Sequence, residues 1–229
     1  AGMAAEPEQG YDFAVSFDLD NPPNGNPEEV LAKVANLRRH LLGAPFTKAF
    51  NGLKDGTGSS LPLMTLDWRP GEAIWIKPAD QRCTVVYAVN FPEETDKAIA
   101  RVMLQQFAKE SAKINGAPPC SYNEPDKPPM EVRDLPMDQY THCCGFLTFV
   151  VFPAHISSEA KFDKSVALLS GFRNYLHYHI KASKTYLHMR MRKKVQTWLQ
   201  VLNRAVHEQD TPQEKKTSSG KTFKRASAS

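Results

Sequence analysis

Three short groups of residues have the types that could carry chemistry. Residues 142–144 are His-Cys-Cys, as in a metal or nucleophile cluster, His177 and His179 lie two apart, and residues 220–222, Gly-Lys-Thr, are similar to the end of a phosphate-binding loop. Neighbouring cysteines on a strand point to opposite faces, and histidines two apart on a helix cannot converge on one ligand. The upstream glycine of a phosphate-binding loop is missing. We therefore expect no catalytic residue, no metal and no cofactor, and a protein that is not an enzyme.

The last third of the chain carries charge of one sign. Residues 1–150 have a net charge of −6, whereas residues 151–229 have a net charge of +10. Between Gly171 and Val206 there are eight basic residues, three histidines and no acid. At helical spacing, six of these side chains form one line that we name the basic stripe, namely Arg173, His177, Lys181, Lys184, His188 and Arg192.

A solvated helix face normally mixes both signs, so the basic stripe favours a large anionic partner surface over simple solubility. Arg190, Lys193, Lys194 and Arg204 broaden the positive field. We expect the stripe to lie on the solvent side of its helix, with no acid placed against it.

The same helix carries more apolar surface than one sheet can cover. Seven residues follow a helical stripe, Phe172, Leu176, Ile180, Leu187, Met191, Trp198 and Leu202, and Tyr175, Tyr178 and Tyr186 extend it around a second side. The simplest cover for the remainder is another protein chain, and packing within this chain is the alternative.

The elements that position these side chains begin with a strand and a helix. Tyr11 to Leu19 alternates large apolar with smaller or polar residues, which predicts a half-buried strand without an obvious pairing partner. Asn26 followed by Pro27 has the N-cap and first-turn residues of a helix. We expect Pro45 to kink or divide that helix.

Three β-like segments follow, and the short connections between them predict an antiparallel meander. They comprise residues 61–68, 72–77 and 81–91. In the third segment, Cys83 shares a face with Val85 and Tyr87, so we interpret it as a small buried hydrophobic residue. A second helix begins at Pro92.

The second half of the chain contains a connection, a strand and a very long helix. Residues 116–136 contain six prolines, which predicts a long exposed connection with at most a short strand. Gly145 to Phe152 is β-branched and aromatic, as in a central strand. From about Ser157 to Ala205 the pattern is helical throughout.

Composition excludes several classes of protein. With 41% hydrophobic residues the chain can bury a substantial core, which excludes a wholly disordered protein. The apolar run from Cys143 to Phe152 is too short to span a bilayer. Because the first residues have neither the basic nor the apolar region of a secretion signal, we expect a cytoplasmic protein whose four cysteines are thiols.

The residues of the long helix resemble those of a known family. The run FRNYLHYHIK, from Phe172 to Lys181, closely resembles the C-terminal helix of subunit 2, the large scaffold subunit, of the actin-related protein 2/3 complex. The resemblance covers about residues 10–225 and is weaker between Gly52 and Asp138. Further matching segments are Gly10-Tyr11, Asp18-Leu19, Phe149–Pro153, Ser183-Lys184, Arg190–Arg192, Val201–Ala205 and Gly220–Phe223.

The resemblance implies a fold and a domain order. Members have two similar α+β modules, each with the order helix, three strands, helix, two strands, helix and an antiparallel sheet packed on the helices. The chain matches the second module and the last strand of the first, so we expect the N-terminal module to be missing. The implied division is a disordered leader (1–10), a strand and turn left from the first module (11–25), the α+β module (26–156), the long C-terminal helix (157–206) and a flexible basic tail (207–229).

The resemblance also implies a non-catalytic scaffold in the cytoplasmic actin cytoskeleton. In the family, this subunit pairs with subunit 4 through long C-terminal helices and contacts the side of the mother filament during branched actin nucleation. The residues implied for the pairing are Tyr175, Tyr178, Tyr186, Leu187, Met191, Trp198 and Leu202. The residues implied for filament contact are Arg173, Lys181, Lys184, Arg190, Arg192, Lys193 and Lys194.

Two other kinds of partner, nucleic acid and anionic lipid, could bind the same basic side chains. A nucleic-acid-binding module could use the same basic helix. Because the tyrosines lie beside the apolar stripe and not among the lysines, and no recognition motif accompanies them, we expect no nucleic acid partner. Binding of an anionic membrane lipid by the basic helix or tail is an open alternative.

Overall fold

The computed structural model describes residue 20, residues 26–205 and four two-residue strands. Gly2–Met3 pairs antiparallel with Val15–Ser16, and Lys215–Lys216 pairs with Thr222–Phe223. The predicted leader, the segment 11–25 and the tail 207–229 otherwise lie outside the described residues. The chain divides into two compact units, residues 1–182 and residues 183–229.

Residues 26–205 form three helices and five strands, and the third helix extends past residue 182, where the second unit begins. In chain order they are α1 (Pro27–Lys54), β1 (Met64–Arg69), β2 (Glu72–Pro78), β3 (Cys83–Val89), α2 (Glu94–Ser111), β4 (Cys120–Asn123), β5 (Gly145–Val151) and α3 (Glu159–Ala205). Short 3-10 turns occupy Gly58–Ser60, Asp138–Tyr140 and Pro153–Ile156. This order confirms the predicted α-β3-α-β2-α module.

The five strands form one antiparallel sheet in the order β1-β2-β3-β5-β4. The predicted meander is β1-β2-β3. Strand β5 lies between β3 and β4, with Val85 opposite Phe149, so the strand predicted to be central is paired on both sides. Both faces of this strand are buried, with Leu147 in one core and Phe146 in the other, which explains why its sequence is a continuous apolar run rather than an alternating one.

Helix α1 begins as its cap residues predict. The side chain of Asn26 accepts a hydrogen bond from the backbone nitrogen of Glu28 at 3.2 Å, and Pro27 occupies the first turn. The helix is not divided at Pro45, which lies inside it. Proline removes one backbone hydrogen bond, but Phe46 and Phe50 follow it and are fully buried. Their packing on the sheet favours continuation of the helix beyond the proline.

The sheet has an apolar core on each face. The larger core lies under the helices and includes Phe50, Tyr87 and Phe172. On the opposite face, Trp75 packs with the connection that precedes β5, in which Val132 is fully buried. The prediction of an exposed connection is therefore wrong for this part, because the second apolar face of the sheet needs a cover. The predicted short strand within the connection is β4.

The cysteines behave as the strand geometry predicts. Cys144 belongs to the core under the helices and Cys143 to the core on the opposite face, so the two side chains point in opposite directions. Burial raises the pKa of Cys83 and of Cys144 to about 12, which keeps both as thiols at neutral pH. In the described ranges, no three His, Cys, Asp or Glu side chains are grouped as a metal site.

Among the helices that the structure describes, none combines the length and apolar character needed to cross a membrane.

A fully buried hydrogen bond ties the third strand of the sheet to α3. The buried hydroxyl of Tyr87 donates to the carbonyl oxygen of Leu169 at 2.7 Å. We expect Tyr87→Phe to lower the free energy of unfolding by about 1–2 kcal/mol, because the buried carbonyl loses its donor. Urea unfolding measures this difference. Tyr178→Phe is the matched control, since Tyr178 is 70% exposed, and an equal effect of both changes would contradict the explanation.

Candidate functional site

The first half of α3 is the part that docks on the sheet. Leu169, Phe172, Leu176 and Ile180 recur at helical spacing and are at most 8% exposed. The ring of Phe172 packs edge-on against Phe149, with centroids 5.0 Å apart. This buried row accounts for the N-terminal part of the apolar stripe that the sequence predicts.

The first two residues of the basic stripe, Arg173 and His177, are largely withdrawn from solvent. The Arg173 guanidinium donates from Nε to Oε2 of Glu72 at 2.8 Å and from Nη2 to the same oxygen, and it lies over the Trp68 ring at 4.9 Å. Nε2 of His177 is 3.1 Å from Oε1 of Glu72. The His177 ring stacks on Phe91, with centroids 4.2 Å apart.

A second acid pairs with the next residue of the stripe. Asp96, in the first turn of α2, is fully buried, and its Oδ2 accepts a hydrogen bond from Nζ of Lys181. Nζ of Lys181 also lies 3.5 Å from Oε1 of Glu93. The expectation that no acid lies against the stripe is therefore wrong for Arg173, His177 and Lys181. The expectation that the stripe faces solvent is wrong for Arg173 and His177, whereas the Lys181 side chain is 50% exposed.

The pKa of Glu72 reflects competing effects. Burial raises it, but the contacts with His177 and Arg173 and the positive charge of Arg173 outweigh burial and hold the pKa below its ordinary value of 4.5. A carboxyl with a lower pKa in the folded than in the unfolded state stabilises the fold above the unfolded-state pKa. That stabilisation is lost as the pH falls through the folded-state pKa.

We therefore expect Glu72→Gln to destabilise the chain by about 3 kcal/mol at pH 7, because a guanidinium loses its buried partner. The difference from wild type should shrink below about pH 4.5 and vanish in stronger acid, where Glu72 is itself protonated. Urea unfolding of both proteins at pH 7, 5, 4 and 3 measures this. A difference that stays constant across the series would show that the Glu72 carboxylate charge is not responsible.

In the first unit, two aromatic side chains of α3 are exposed. Tyr175 is 59% and Tyr178 is 70% exposed. His179 lies beside both, with ring centroids 4.1 Å and 5.3 Å away. These rings therefore form an aromatic surface that is more than half exposed in the described chain.

In the second unit, the residues of α3 expose a row of large apolar side chains. We name Leu187, Met191, Val195, Trp198 and Leu202 the C-terminal apolar stripe. Each is exposed by 46% or more, and Tyr186 nearby is 56% exposed. The sequence predicts all of these except Val195, although Val195 follows Met191 at the helical spacing of four residues. Leu199 and Val201 were also missed and are more than half exposed.

The cations of the second unit differ from those that pair with Glu72 and Asp96. Arg190, Arg192, Lys193 and Lys194 are all exposed, and Lys184 is half-buried. The Arg190 guanidinium lies over the Tyr186 ring at 5.6 Å. A helix surface that combines large apolar side chains with exposed arginines has the composition of a protein-binding surface.

Similarity to known proteins identifies the family of the chain. The family model described as "Arp2/3 complex, 34 kD subunit p34-Arc" matches residues 1–209. The chain is 37% identical over 241 residues to actin-related protein 2/3 complex subunit 2 of Schizosaccharomyces pombe, an alignment that covers 96% of this chain and 75% of that protein. It is 37% identical over 226 residues to the subunit of the same name in Dictyostelium discoideum, with coverage of 97% and 73%. The chain therefore belongs to the p34-Arc family of Arp2/3 complex subunits.

Proposed function

We propose that the chain is a non-catalytic scaffold subunit that acts in branched actin nucleation in the cytoplasm. Membership of the p34-Arc family supports the role of a complex subunit. In this proposal the α+β module (26–156) carries the long helix (157–206), and the helix presents the surfaces that bind other proteins. A scaffold of this kind needs exposed side chains that a partner can bury, and α3 has them.

The main support for pairing with subunit 4 is the exposure of large apolar side chains on α3. Soluble monomers rarely expose contiguous apolar patches larger than a few hundred Å². Burying such side chains gains about 25 cal/mol per Å² of apolar surface. We therefore propose that subunit 4 covers the C-terminal apolar stripe together with Tyr175, Tyr178 and Tyr186.

The exposed cations support contact with the side of the mother filament. Between Gly171 and Val206 the helix has basic residues and no acid. An acidic filament surface would attract such a helix. Among the seven proposed residues, Arg173 and Lys181 already have Glu72, Asp96 and Glu93 as partners. The filament contact therefore rests mainly on Arg190, Arg192, Lys193 and Lys194.

Co-expression tests the pairing directly. The chain alone should self-associate as its concentration rises, because its apolar side chains on α3 find no other cover. With subunit 4 it should form a one-to-one heterodimer, which size-exclusion chromatography with light scattering detects. A chain that stays monomeric at all concentrations and elutes apart from subunit 4 would refute the pairing.

A further inference from the structure

A second row of residues runs along the first half of α3, beside the row that docks on the sheet. Leu168, Tyr175 and Tyr178 are 60%, 59% and 70% exposed, and Gly171 lies between them. The successive spacings are three, four and three residues, so the four residues share one face of the helix. We name Leu168, Gly171, Tyr175 and Tyr178 the outward seam.

The outward seam is separate from the buried row of α3. At 100° per residue, the two rows lie on average about 120° apart around the helix. Because the buried row already packs on the sheet, the outward seam needs another cover. Two tyrosines that are more than half exposed and one exposed leucine form a patch on the order of 300 Å², a size at which patches on monomers are often functional.

Gly171 has no structural reason within the described chain. It is the one glycine of α3, and glycine is among the least favourable residues inside a helix. Glycine is normally required where φ is positive or where a side chain would strike a close neighbour. Gly171 does not have a positive φ, and apart from its chain neighbours and its own helix backbone nothing described lies within 4 Å of a Cβ built there.

The space above Gly171 is a gap in the outward seam. A helical side chain normally leans over the turn that precedes it, but no atom of Tyr175 comes within 4 Å of the position of a Cβ on Gly171. The Tyr175 ring contacts His179 instead, with centroids 4.1 Å apart. Two helices pack by fitting the side chains of one into the gaps of the other, and small residues at the contact permit the shorter distances between axes. The gap therefore fits the close approach of a second helix.

Charge favours a different protein over a second copy of this chain as the source of that helix. Residues 151–229, which contain the outward seam, have a net charge of +10, so a second copy would bring like charge to the contact. Lys164 is exposed one turn before Leu168, and no acid lies between Gly171 and Val206. A helix with acidic residues beside its apolar side chains is complementary to this surface.

We propose that the outward seam receives an α-helix of subunit 4 that has acidic residues beside its apolar side chains, and that the two helices come closest at Gly171. The identity of the partner rests on the proposed function, which assigns Tyr175 and Tyr178 to this pairing. Leu168 and Gly171 are additional contact residues. Gly171 determines specificity through the side chain that it lacks, since only a helix that fits the gap can approach there.

Filling the gap tests this role without loosening the chain. Gly171→Leu adds a side chain for which the chain has room and which favours a helix, so its midpoint of urea unfolding should equal or exceed that of wild type. Its affinity for subunit 4, measured by titration calorimetry, should fall at least about tenfold, because the added side chain holds the two helices apart. Asp163→Leu is the matched control, since Asp163 is exposed on α3 about 100° from the outward seam, and it should bind as wild type does.

The outcomes separate the docking site from the proposed pairing. If wild type binds subunit 4 and Gly171→Leu binds equally well, the close approach at Gly171 is overturned and the pairing stands. If wild type does not bind subunit 4, the proposed pairing fails and the docking site fails with it. If Gly171→Leu does not fold, Gly171→Ala gives the same test, with an affinity loss of at least about threefold at equal or higher stability.

Two further measurements test the kind of segment that docks. Position 174 is exposed beside the outward seam, and p-benzoylphenylalanine placed there should crosslink to residues of subunit 4 that are three or four apart, as on one face of a helix. Crosslinks to alternate residues would indicate a strand and overturn the helix. Affinity should fall at least about fivefold between about 50 and about 300 mM NaCl, and an affinity independent of salt would overturn the acidic partner.

Discussion

Replacing Trp198 by alanine should weaken pairing with subunit 4 by about 30-fold to 700-fold, because a buried tryptophan at the centre of an interface typically contributes about 2–4 kcal/mol. Trp198 lies within the C-terminal apolar stripe and is 62% exposed in the chain alone. The change should therefore leave the unfolding of the isolated chain nearly unaffected. Titration calorimetry measures the affinity, and urea unfolding measures the stability.

Gln200→Ala is the matched control for this prediction. Gln200 is exposed on the same part of α3, and at 100° per residue it lies on the opposite side of the helix from Trp198. It should bind subunit 4 as wild type does. If Trp198→Ala also bound normally, the C-terminal apolar stripe would not be the surface that subunit 4 buries.

Reversing three exposed cations, Arg190→Glu, Arg192→Glu and Lys193→Glu, should lower affinity for the sides of actin filaments at least tenfold and reduce branching. Exposed charge contacts contribute only about 0–1 kcal/mol each, so a triple reversal is needed for a clear effect. Wild-type affinity should also fall as salt rises. Assembly with subunit 4 should persist. Co-sedimentation with filaments and counting of branches by microscopy measure the two effects.

Lys109→Glu with Lys113→Glu and Lys127→Glu is the control, since these lysines are exposed elsewhere on the module. Its filament affinity should equal that of wild type. Equal sedimentation of the α3 triple variant and wild type would show that these cations are not the filament contact. A filter-binding assay distinguishes the nucleic-acid alternative, which requires a steep salt-dependent loss of DNA or RNA binding with unchanged branching.

Arg173→Glu with Lys181→Glu should behave differently from the α3 triple variant. Both substitutions place a carboxylate beside a buried acid, Glu72 or Asp96, so like charges repel at short range, and solvent screens this repulsion least at the Arg173 site. We expect a loss of chain stability and of assembly together. Urea unfolding and co-expression with subunit 4 measure this loss, and a stable variant that lacks only filament binding would contradict it.

Local sequence signals were sufficient for most elements of the fold. The cap at Asn26, the short turns of the meander and the helical spacing that continues to Ala205 each act within a few residues. Burial periodicity likewise placed Cys143 and Cys144 on opposite faces of the sheet. Family resemblance added the order of the module, which the structure confirms.

The sequence alone determined that α3 is long, basic and too apolar for one sheet to cover, because spacing along a helix is a local property. Only the tertiary structure decided which of its cations are paired. Glu72 lies 101 residues before Arg173, and Asp96 lies 85 residues before Lys181. Periodicity within a helix cannot reveal a partner on another element, since such a pair forms only when the chain folds. For the same reason only the structure separated the basic residues that pair with buried acids from those that are exposed.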